Sequence, residues 1–374
     1  MKDPIKIAVT GAAGRVAYAL LPRIASGSVF GPDQPVEMRL IEIPEGMKAL
    51  EGIVMELCDS AFPLLRSVSM TSDVAVGFEA VSWAVLVGGS PRNTRMERRD
   101  LLVTNGSTFV SQGKAIMDHA ASDIRTLVVA NPCNTNCLVA MSNAKDVPAE
   151  RWFAVSRLDE NRAKTQLALK AGKHWTDVTN VAIWGNHSCT LFPDFLNARI
   201  AGRPATDVIA DQRWLEDDFV REVQLRGKEV IKARGCSAAC SAAHAVAGTI
   251  RSIISPTPVD DWTSIALLSD GSYGIPTGIV SSFPVRSDGS RVEIVRGLPV
   301  GDFARAKISI TAEELVDERE MVRELIPTER KRRRASDQRS CAQERGRERL
   351  SLVSSDDQVR RGVRELAAAC EEHA

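Results

Sequence analysis

The sequence predicts an α/β fold, in which a doubly wound parallel sheet is followed by a second, α+β domain. Short apolar runs alternate with amphipathic stretches from the N-terminus, and a glycine-containing turn separates the first run from the first helical pattern. Polar side chains also follow the apolar runs immediately. This alternation is typical of βαβ units, whose ligands bind beyond the carboxyl ends of parallel strands.

The first domain is predicted to cover residues 1–154. Its strands are predicted at Lys6–Thr10, Glu37–Ile43, Trp83–Gly89 and Thr126–Pro132, with helical patterns of ten or more residues between most of them. The polar residues at the ends of these strands or just after them include Glu42, the segment PRNTRMERRD and Asn131. They are expected to meet at one edge of the sheet.

The second domain is predicted to cover residues 155–327, with helices, a strand at Val181–Trp184 and an antiparallel meander between Ile265 and Val295. Thr311 and Glu314 have the spacing of a capping box, which predicts a helix that opens at Thr311. Residues 328–374 have 12 basic residues against 9 acidic ones, and 11 of the basic residues are arginine. We expect this Arg-rich tail to be disordered, because charge runs are usually solvated.

The composition excludes several classes of protein. The chain has 374 residues, with 48 Lys plus Arg and 48 Asp plus Glu. A net charge of zero argues against nucleic acid as the main partner. Charge, Gly or Pro interrupts every apolar stretch well before the roughly 20 residues of a membrane span, and the N-terminus does not resemble a secretory signal. We therefore expect a cytoplasmic enzyme that does not enter membranes.

The first predicted strand runs directly into a candidate phosphate-binding loop. The loop consists of Gly11, Ala12, Ala13, Gly14, Arg15, Val16 and Ala17, and a helical pattern follows it. Glycines let the backbone approach a pyrophosphate, which binds the N–H groups at the helix start. This context predicts a Rossmann-type dinucleotide site, and Gly88, at the end of the third predicted strand, is included among its cofactor-binding residues.

Glu42 ends the second predicted strand, where a carboxylate can accept hydrogen bonds from the adenosine ribose hydroxyls and repel a 2′-phosphate. This position favours NAD over NADP. The alternative is a surface acid at a strand end. A short-chain dehydrogenase would need a Tyr with a Lys four residues later. Four residues after Tyr18 is Pro22, and four residues after Tyr273 is Thr277, so the acid–base pair of that family is absent.

His187 is the best candidate for a general acid–base among five histidines, because the segment IWGNHS places it directly after an apolar run. Asp159 and Arg162 are three residues apart on one helical pattern and therefore share a face. An Asp can orient an imidazole and an Arg can bind a carboxylate with two hydrogen bonds. The alternative for Asp159 and Arg162 is an ordinary helix ion pair.

The Arg-rich segment 91–100 follows a predicted strand and two glycines, and such a loop can close over an anion. Seven motifs now lie in order along the chain: GAAGRVA, LIEIP, PRNTRMERRDLL, NPCNTN, SRLDENRAK, WGNHS and RGCSAACSAA. In order and spacing they resemble malate dehydrogenases of the cytosolic-type branch of the lactate/malate dehydrogenase family. The resemblance covers about residues 4–326.

The resemblance implies a role for each matching residue. His187 would exchange the proton and Asp159 would hold His187. Arg162 would bind the C1 carboxylate, while Arg92 and Arg98 would bind the distal carboxylate and polarise the reacting carbonyl. Asn131 and Ser241 would line the substrate and nicotinamide. A homodimer that uses NAD, without a metal, in the tricarboxylic acid cycle is also implied.

The chain departs from the family pattern at several positions. Arg15 and Ala17 stand where Gln and Gly are usual, and Arg95 replaces a loop Gly. The expected reaction is reversible oxidation of (S)-malate to oxaloacetate. Two alternatives remain open: another 2-hydroxyacid dehydrogenase, acting on lactate or an aromatic hydroxyacid, and a nucleotide-binding homologue with impaired catalysis.

Overall fold

A computed structural model describes residues 2–89 and 98–327, and only the backbone at residues 98–101, 103 and 104. The predicted loop residues Arg92 and Arg95 therefore lie outside the described residues, as does the tail 328–374. The described residues up to Leu325 belong to one compact unit.

The described residues contain fourteen strands and ten α-helices, and strands alternate with helices from β1 to α6. The strands are β1 (Ile5–Thr10), β2 (Val36–Ile41), β3 (Leu65–Thr71), β4 (Trp83–Leu86), β5 (Arg125–Val128), β6 (Trp152–Val155), β7 (Val178–Thr179), β8 (Ala182–Trp184), β9 (Phe192–Asp194), β10 (Arg199–Ile200), β11 (Arg203–Pro204), β12 (Thr263–Leu268), β13 (Val280–Ser287) and β14 (Val292–Ile294). The helices are α1 (Arg15–Ala25), α2 (Met47–Asp59), α3 (Val74–Phe78), α4 (Arg98–His119), α5 (Cys133–Ser142), α6 (Arg157–Ala171), α7 (Ala205–Val208), α8 (Val220–Arg234), α9 (Cys240–Ile254) and α10 (Asp302–Met321).

The main sheet has nine strands in the order β14-β13-β12-β6-β5-β4-β1-β2-β3. The six strands from β3 to β6 pair in parallel, whereas β12 pairs antiparallel with β6 and is continued by the antiparallel strands β13 and β14. The chain reverses its direction of progress across the sheet between β1 and β4. The α/β prediction is therefore confirmed, and this reversal creates a crevice at the carboxyl ends of the two strands.

The central strands are buried because helices cover both faces of a parallel sheet. All four residues of β4 and the last four of β1 are buried, which explains why the sequence shows continuous apolar runs there. The antiparallel meander predicted between Ile265 and Val295 is also confirmed, by β12, β13 and β14. Two small sheets, β11-β10-β7 and β8-β9, complete the described strands.

Two features of the fold differ from the sequence prediction. Strand β3 was missed, because this edge strand has no buried residue and so lacks an apolar run. The helix expected to open at Thr311 instead spans Asp302–Met321, and Thr311 is buried in its interior. The hydroxyl of Thr311 is used by a neighbouring loop and not as a helix cap.

No described helix combines the length and the apolar character that crossing a bilayer requires.

Helices α4 and α5 pack closely against each other. The contact occurs at Gly113 of α4, where an added Cβ would lie 2.2 Å from the backbone oxygen of Ala140 in α5. A backbone atom cannot move aside as a flexible side chain can, so only glycine fits at this position. Gly52 of α2 is also a helical glycine, but an added Cβ there would meet no atom within 4 Å.

We predict opposite effects for the same substitution at these two glycines. Gly113→Ala should lower the free energy of unfolding by about 1–3 kcal/mol, because it overpacks the α4–α5 contact. Gly52→Ala should raise it by about 0.5–1 kcal/mol, because alanine reduces the conformational entropy lost on folding. Urea denaturation of both variants measures the difference, and equal effects would contradict the close packing at Gly113.

Candidate active site

The loop after β1 meets the loop after β4 at the crevice. Gly11 has a φ of +62°, and a Cβ at this position would lie 2.4 Å from the Cα of Gly88. The N–H of Gly88 donates to the Thr10 hydroxyl at 3.2 Å. Glycine is required at residue 11 for both the left-handed backbone and the close approach. The structure therefore brings Gly11 and Gly88, both predicted cofactor-binding residues, into contact.

The helix that follows this loop presents unpaired donors. Helix α1 begins at Arg15, and Gly14 at its N-cap makes no side-chain hydrogen bond. The N–H groups of the first turn, at Arg15, Val16 and Ala17, have no carbonyl within the helix to bond, and they lie at the positive end of the helix dipole. Ala12 and Ala17 are fully buried. Unpaired N–H groups at the start of a helix bind a pyrophosphate well, so these residues fit a dinucleotide.

Glu42 follows β2 and is held against the same loop. One of its carboxylate oxygens, Oε2, accepts from the N–H of Ala13 at 2.9 Å, and Oε1 accepts from the N–H of Ile43 at 2.9 Å. The side chain is half-buried, and a carboxylate that accepts two hydrogen bonds has lone pairs left for further donors. The carboxylate is thus fixed beside the phosphate-binding loop and not left as a mobile surface acid.

A line of three side chains connects α6 to the loop after β8. Arg162 Nη1 donates to Asp159 Oδ1 at 3.1 Å, and His187 Nδ1 lies 2.5 Å from Asp159 Oδ2. Asp159 is fully buried, whereas the side chain of His187 is 18% exposed. The structure therefore brings together the three residues that the sequence placed in the acid–base and carboxylate-binding roles.

The environment of Asp159 determines its charge. Burial alone raises the pKa of Asp159, but the adjoining His187 and Arg162 outweigh burial and hold that pKa below its ordinary value. An ionised Asp159 accepts the proton on His187 Nδ1, so the neutral imidazole has an unprotonated Nε2. No described residue bonds this Nε2. His187 is thus arranged to take up a proton from a ligand.

Arg162 has donors left over after its bond to Asp159. The side chain is 14% exposed, and among the described residues its other nitrogens have no hydrogen-bond partner. Helix α8 comes close to this guanidinium, since a Cβ at Gly227 would lie 3.6 Å from Arg162 Nη2. A guanidinium with free donors in a partly buried site can bind a carboxylate with two hydrogen bonds.

The remaining predicted residues make no hydrogen bond to the line of Arg162, Asp159 and His187 among the described residues. Asn131 lies between β5 and α5, and its carbonyl accepts from Asn105 of α4 at 3.0 Å. Ser241 lies in the first turn of α9 and is exposed. Arg15 Nη2 donates to the hydroxyl of Ser237, just before α9, at 3.4 Å. Among the described residues, none of these side chains bonds His187.

Two predicted arginines cannot be placed in the site. Arg92 lies outside the described residues, and at Arg98, where α4 begins, only the backbone is described.

Asn134, which is not among the residues predicted from the sequence, holds the backbone of His187. Its Oδ1 accepts from the His187 N–H at 3.2 Å, and its Nδ2 donates to the carbonyls of Gly185 and Val280 at 3.3 and 3.0 Å. Asn134 belongs to the motif NPCNTN, in which only Asn131 is predicted as a site residue. An Asn among apolar and small residues was the available signal, since a buried amide must find several partners.

Comparison with known proteins places this geometry in a family. The lactate/malate dehydrogenase NAD binding domain matches residues 5–154, and the lactate/malate dehydrogenase alpha/beta C-terminal domain matches residues 156–326. The chain belongs to the lactate/malate dehydrogenase family. It is therefore an oxidoreductase of that family, and its cofactor is NAD.

Solved structures of both activities resemble the chain. A malate dehydrogenase from Naegleria fowleri is 42% identical with a TM-score of 0.84, over 87% of this chain and 99% of that one. A lactate dehydrogenase from Trichomonas vaginalis, solved with NADH and oxamate, is 31% identical with a TM-score of 0.83, over 86% and 98%. A Salinibacter ruber malate dehydrogenase at 22% identity and a TM-score of 0.72, over 86% and 98%, shows the fold alone.

No group of His, Cys, Asp and Glu side chains suited to holding a metal ion occurs in residues 2–89 and 98–327.

We predict that Glu42 controls the choice of cofactor. Glu42→Ser should reduce the preference for NADH over NADPH by about tenfold, since losing about 1.4 kcal/mol of repulsion changes a ratio tenfold. The ratio of kcat/KM for the two cofactors measures this preference. Glu45→Ser, at an exposed acid three residues away, is the charge-matched control and should leave the ratio unchanged. A wild-type enzyme that uses both cofactors equally would contradict the role of Glu42.

Proposed function

We propose that the protein is an NAD-dependent malate dehydrogenase, which interconverts (S)-malate and oxaloacetate. The observation that carries this proposal is the line of Arg162, Asp159 and His187, with the imidazole 2.5 Å from a fully buried carboxylate. This line combines a proton acceptor with a carboxylate-binding cation. Oxidation of a 2-hydroxyacid needs both of these groups.

The proton step follows from the tautomer of His187. NAD, when bound, accepts the hydride from C2 of the hydroxyacid at its nicotinamide C4. His187 Nε2 removes the proton of the C2 hydroxyl, and in the reverse direction the imidazolium returns it. Asp159 keeps the ring oriented and stabilises the positive charge that forms. The low pKa of Asp159 keeps its carboxylate charged throughout the neutral pH range.

Substrate binding is assigned to the arginines. Arg162 binds the C1 carboxylate through its free donors, next to Asp159. Arg92 binds the distal carboxylate, and Arg98 polarises the C2 carbonyl of oxaloacetate, which corresponds to the C2 hydroxyl of malate. Three cations therefore surround a substrate of charge −2. Asn131 and Ser241 line the substrate and nicotinamide.

Malate is preferred over lactate in this proposal because of Arg92. A second cation would remain unpaired opposite the methyl group of lactate, and burying an unpaired charge is costly. The Trichomonas vaginalis lactate dehydrogenase resembles this chain almost as closely in structure as the Naegleria fowleri malate dehydrogenase does. The role of Arg92, which is proposed to bind the distal carboxylate, must therefore be tested directly. The proposal includes a homodimer that acts in the cytoplasm and in the tricarboxylic acid cycle.

We predict that His187→Asn lowers kcat by about 10²- to 10⁴-fold, because the proton acceptor is lost. NADH binding, measured by fluorescence titration, should persist, since the phosphate loop and Glu42 are untouched. His119→Asn is the matched control, because His119 is exposed at the end of α4, and it should retain wild-type turnover. Full activity in His187→Asn would require a different proton carrier.

We predict that Arg92→Gln inverts or greatly reduces the preference for oxaloacetate over pyruvate. The kcat/KM for oxaloacetate should fall by about 10²- to 10⁴-fold, equivalent to about 3–5 kcal/mol for a buried charge without its partner. Pyruvate has no distal charge and should lose far less activity. Steady-state kinetics with both oxoacids provide the ratio.

Arg95→Gln is the control for Arg92→Gln, because it removes the same charge from the same segment at a residue with no assigned contact. Its ratio of oxaloacetate to pyruvate activity should equal that of the wild type. An unchanged ratio in Arg92→Gln would favour a generic 2-hydroxyacid dehydrogenase over a malate dehydrogenase.

A further inference from the structure

Two carboxylates of α10 hold the loop that carries His187. Asn186 Nδ2 donates to Glu318 Oε1 at 2.7 Å and to Glu314 Oε2 at 3.1 Å. Glu314 Oε2 also accepts from the hydroxyls of Ser188 and Thr190. The residues on both sides of His187 are therefore bound to side chains one helical turn apart on α10.

The backbone of the same loop is also hydrogen-bonded at three consecutive residues, Gly185, Asn186 and His187. The N–H of Asn186 donates to the Thr311 hydroxyl of α10 at 2.9 Å, and the N–H of His187 donates to Asn134 Oδ1 at 3.2 Å. Gly185 exchanges backbone hydrogen bonds with Ser282 of β13. Helix α10 thus supplies the partner for the residue immediately before His187.

Helix α10 can approach the loop this closely only because residue 185 is glycine. Gly185 has a φ of +88°, and an added Cβ would lie 2.0 Å from Thr311 Cγ2. The contact is also dry, because Asn186, Thr311 and Glu318 are each at most 1% exposed. Buried hydrogen bonds without access to water are costly to leave unmade, so the loop is held in one conformation.

We propose that Thr311, Glu314 and Glu318 are positioning residues, which act on the reaction by fixing the backbone of His187 relative to Asp159. This inference rests on the proposed role of His187 as proton acceptor. The distance of 2.5 Å between Nδ1 and Oδ2 leaves little room for displacement of the loop. A shift of about 1 Å at a catalytic group can cost on the order of 10²-fold in rate.

Four variants test the proposal. Thr311→Val removes the hydroxyl while keeping the size of the side chain, and Thr311→Ser keeps the hydroxyl. Glu314→Ala removes the acceptor shared by Asn186, Ser188 and Thr190. Glu313→Ala, at an exposed neighbour on the same helix, makes the same chemical change away from the loop and serves as the control.

We expect Thr311→Val and Glu314→Ala to lower kcat by about 10- to 100-fold, with the Kd for NADH unchanged. Thr311→Ser and Glu313→Ala should have a kcat close to that of the wild type. One-dimensional proton NMR of the protein without cofactor gives a second readout. The downfield signal of the Nδ1 proton shared with Asp159, identified by its loss in His187→Asn, should weaken in the same two variants.

A double-mutant cycle separates positioning from general stabilisation. If Thr311 acts through His187, adding Thr311→Val to His187→Asn should not lower the residual rate further. A further loss as large as that in the wild-type background would overturn the proposal, as would an unchanged kcat and proton signal in Thr311→Val and Glu314→Ala. If Thr311→Val does not fold, Glu314→Ala, at a half-buried residue, carries the same cycle.

The outcomes also distinguish this inference from the proposed function. Full activity in His187→Asn would refute His187 as the proton acceptor, whatever the α10 variants do. An intact proton signal in the α10 variants, together with an inactive His187→Asn, would refute only the positioning role.

Discussion

The buried carboxylate of Asp159 is the interaction on which the site depends. A carboxylate without water is stable in the charged form only when cations and donors surround it. Arg162 and His187 supply these groups, so the three residues hold each other in place. Because Asp159 and Arg162 lie on α6 and His187 lies in the loop after β8, one buried charge joins two segments that are far apart in the sequence.

The neighbouring residue, Glu160, fixes α6 itself. Its carboxylate is fully buried and accepts from the Thr263 hydroxyl and the Ser264 N–H, both in β12, at 2.9 and 2.7 Å. Burial raises the pKa of Glu160, but the adjoining Arg157 and Lys164 outweigh it and lower that pKa overall. Consecutive acids on α6 thus have different partners: Glu160 ties the helix to the sheet, and Asp159 ties it to the imidazole.

The cofactor loop is built on a different constraint, the close approach of two backbones. Gly11 and Gly88 touch where the sheet order reverses between β1 and β4. Glu42, which follows the neighbouring strand β2, accepts a hydrogen bond from the N–H of Ala13 in the same loop. The donors at the start of α1 therefore face a crevice whose walls come from three strands. Asp159 lies on α6, which follows β6 of the same sheet. The loop of His187 meets that sheet at β13, where Gly185 exchanges backbone hydrogen bonds with Ser282.

The sequence alone determined the parallel sheet, the phosphate loop and the identity of His187, Asp159 and Arg162 as candidates. These features are local: apolar runs, a strand-turn-helix context and an i, i+3 spacing all act within a few residues. Strand β3 and the true start of α10 could not be predicted, because an exposed edge strand has no apolar pattern and Thr311 matched a cap by chance.

Only the tertiary structure decided which polar residues support the site. Asn134, Thr311, Glu314 and Glu318 are separated from His187 by between 53 and 131 positions in the chain, and no periodicity connects them. The hydrogen bonds from α10 exist because Gly185 lets that helix approach the loop. Those of Asn134 exist because a buried amide must be paired once folding has removed it from water.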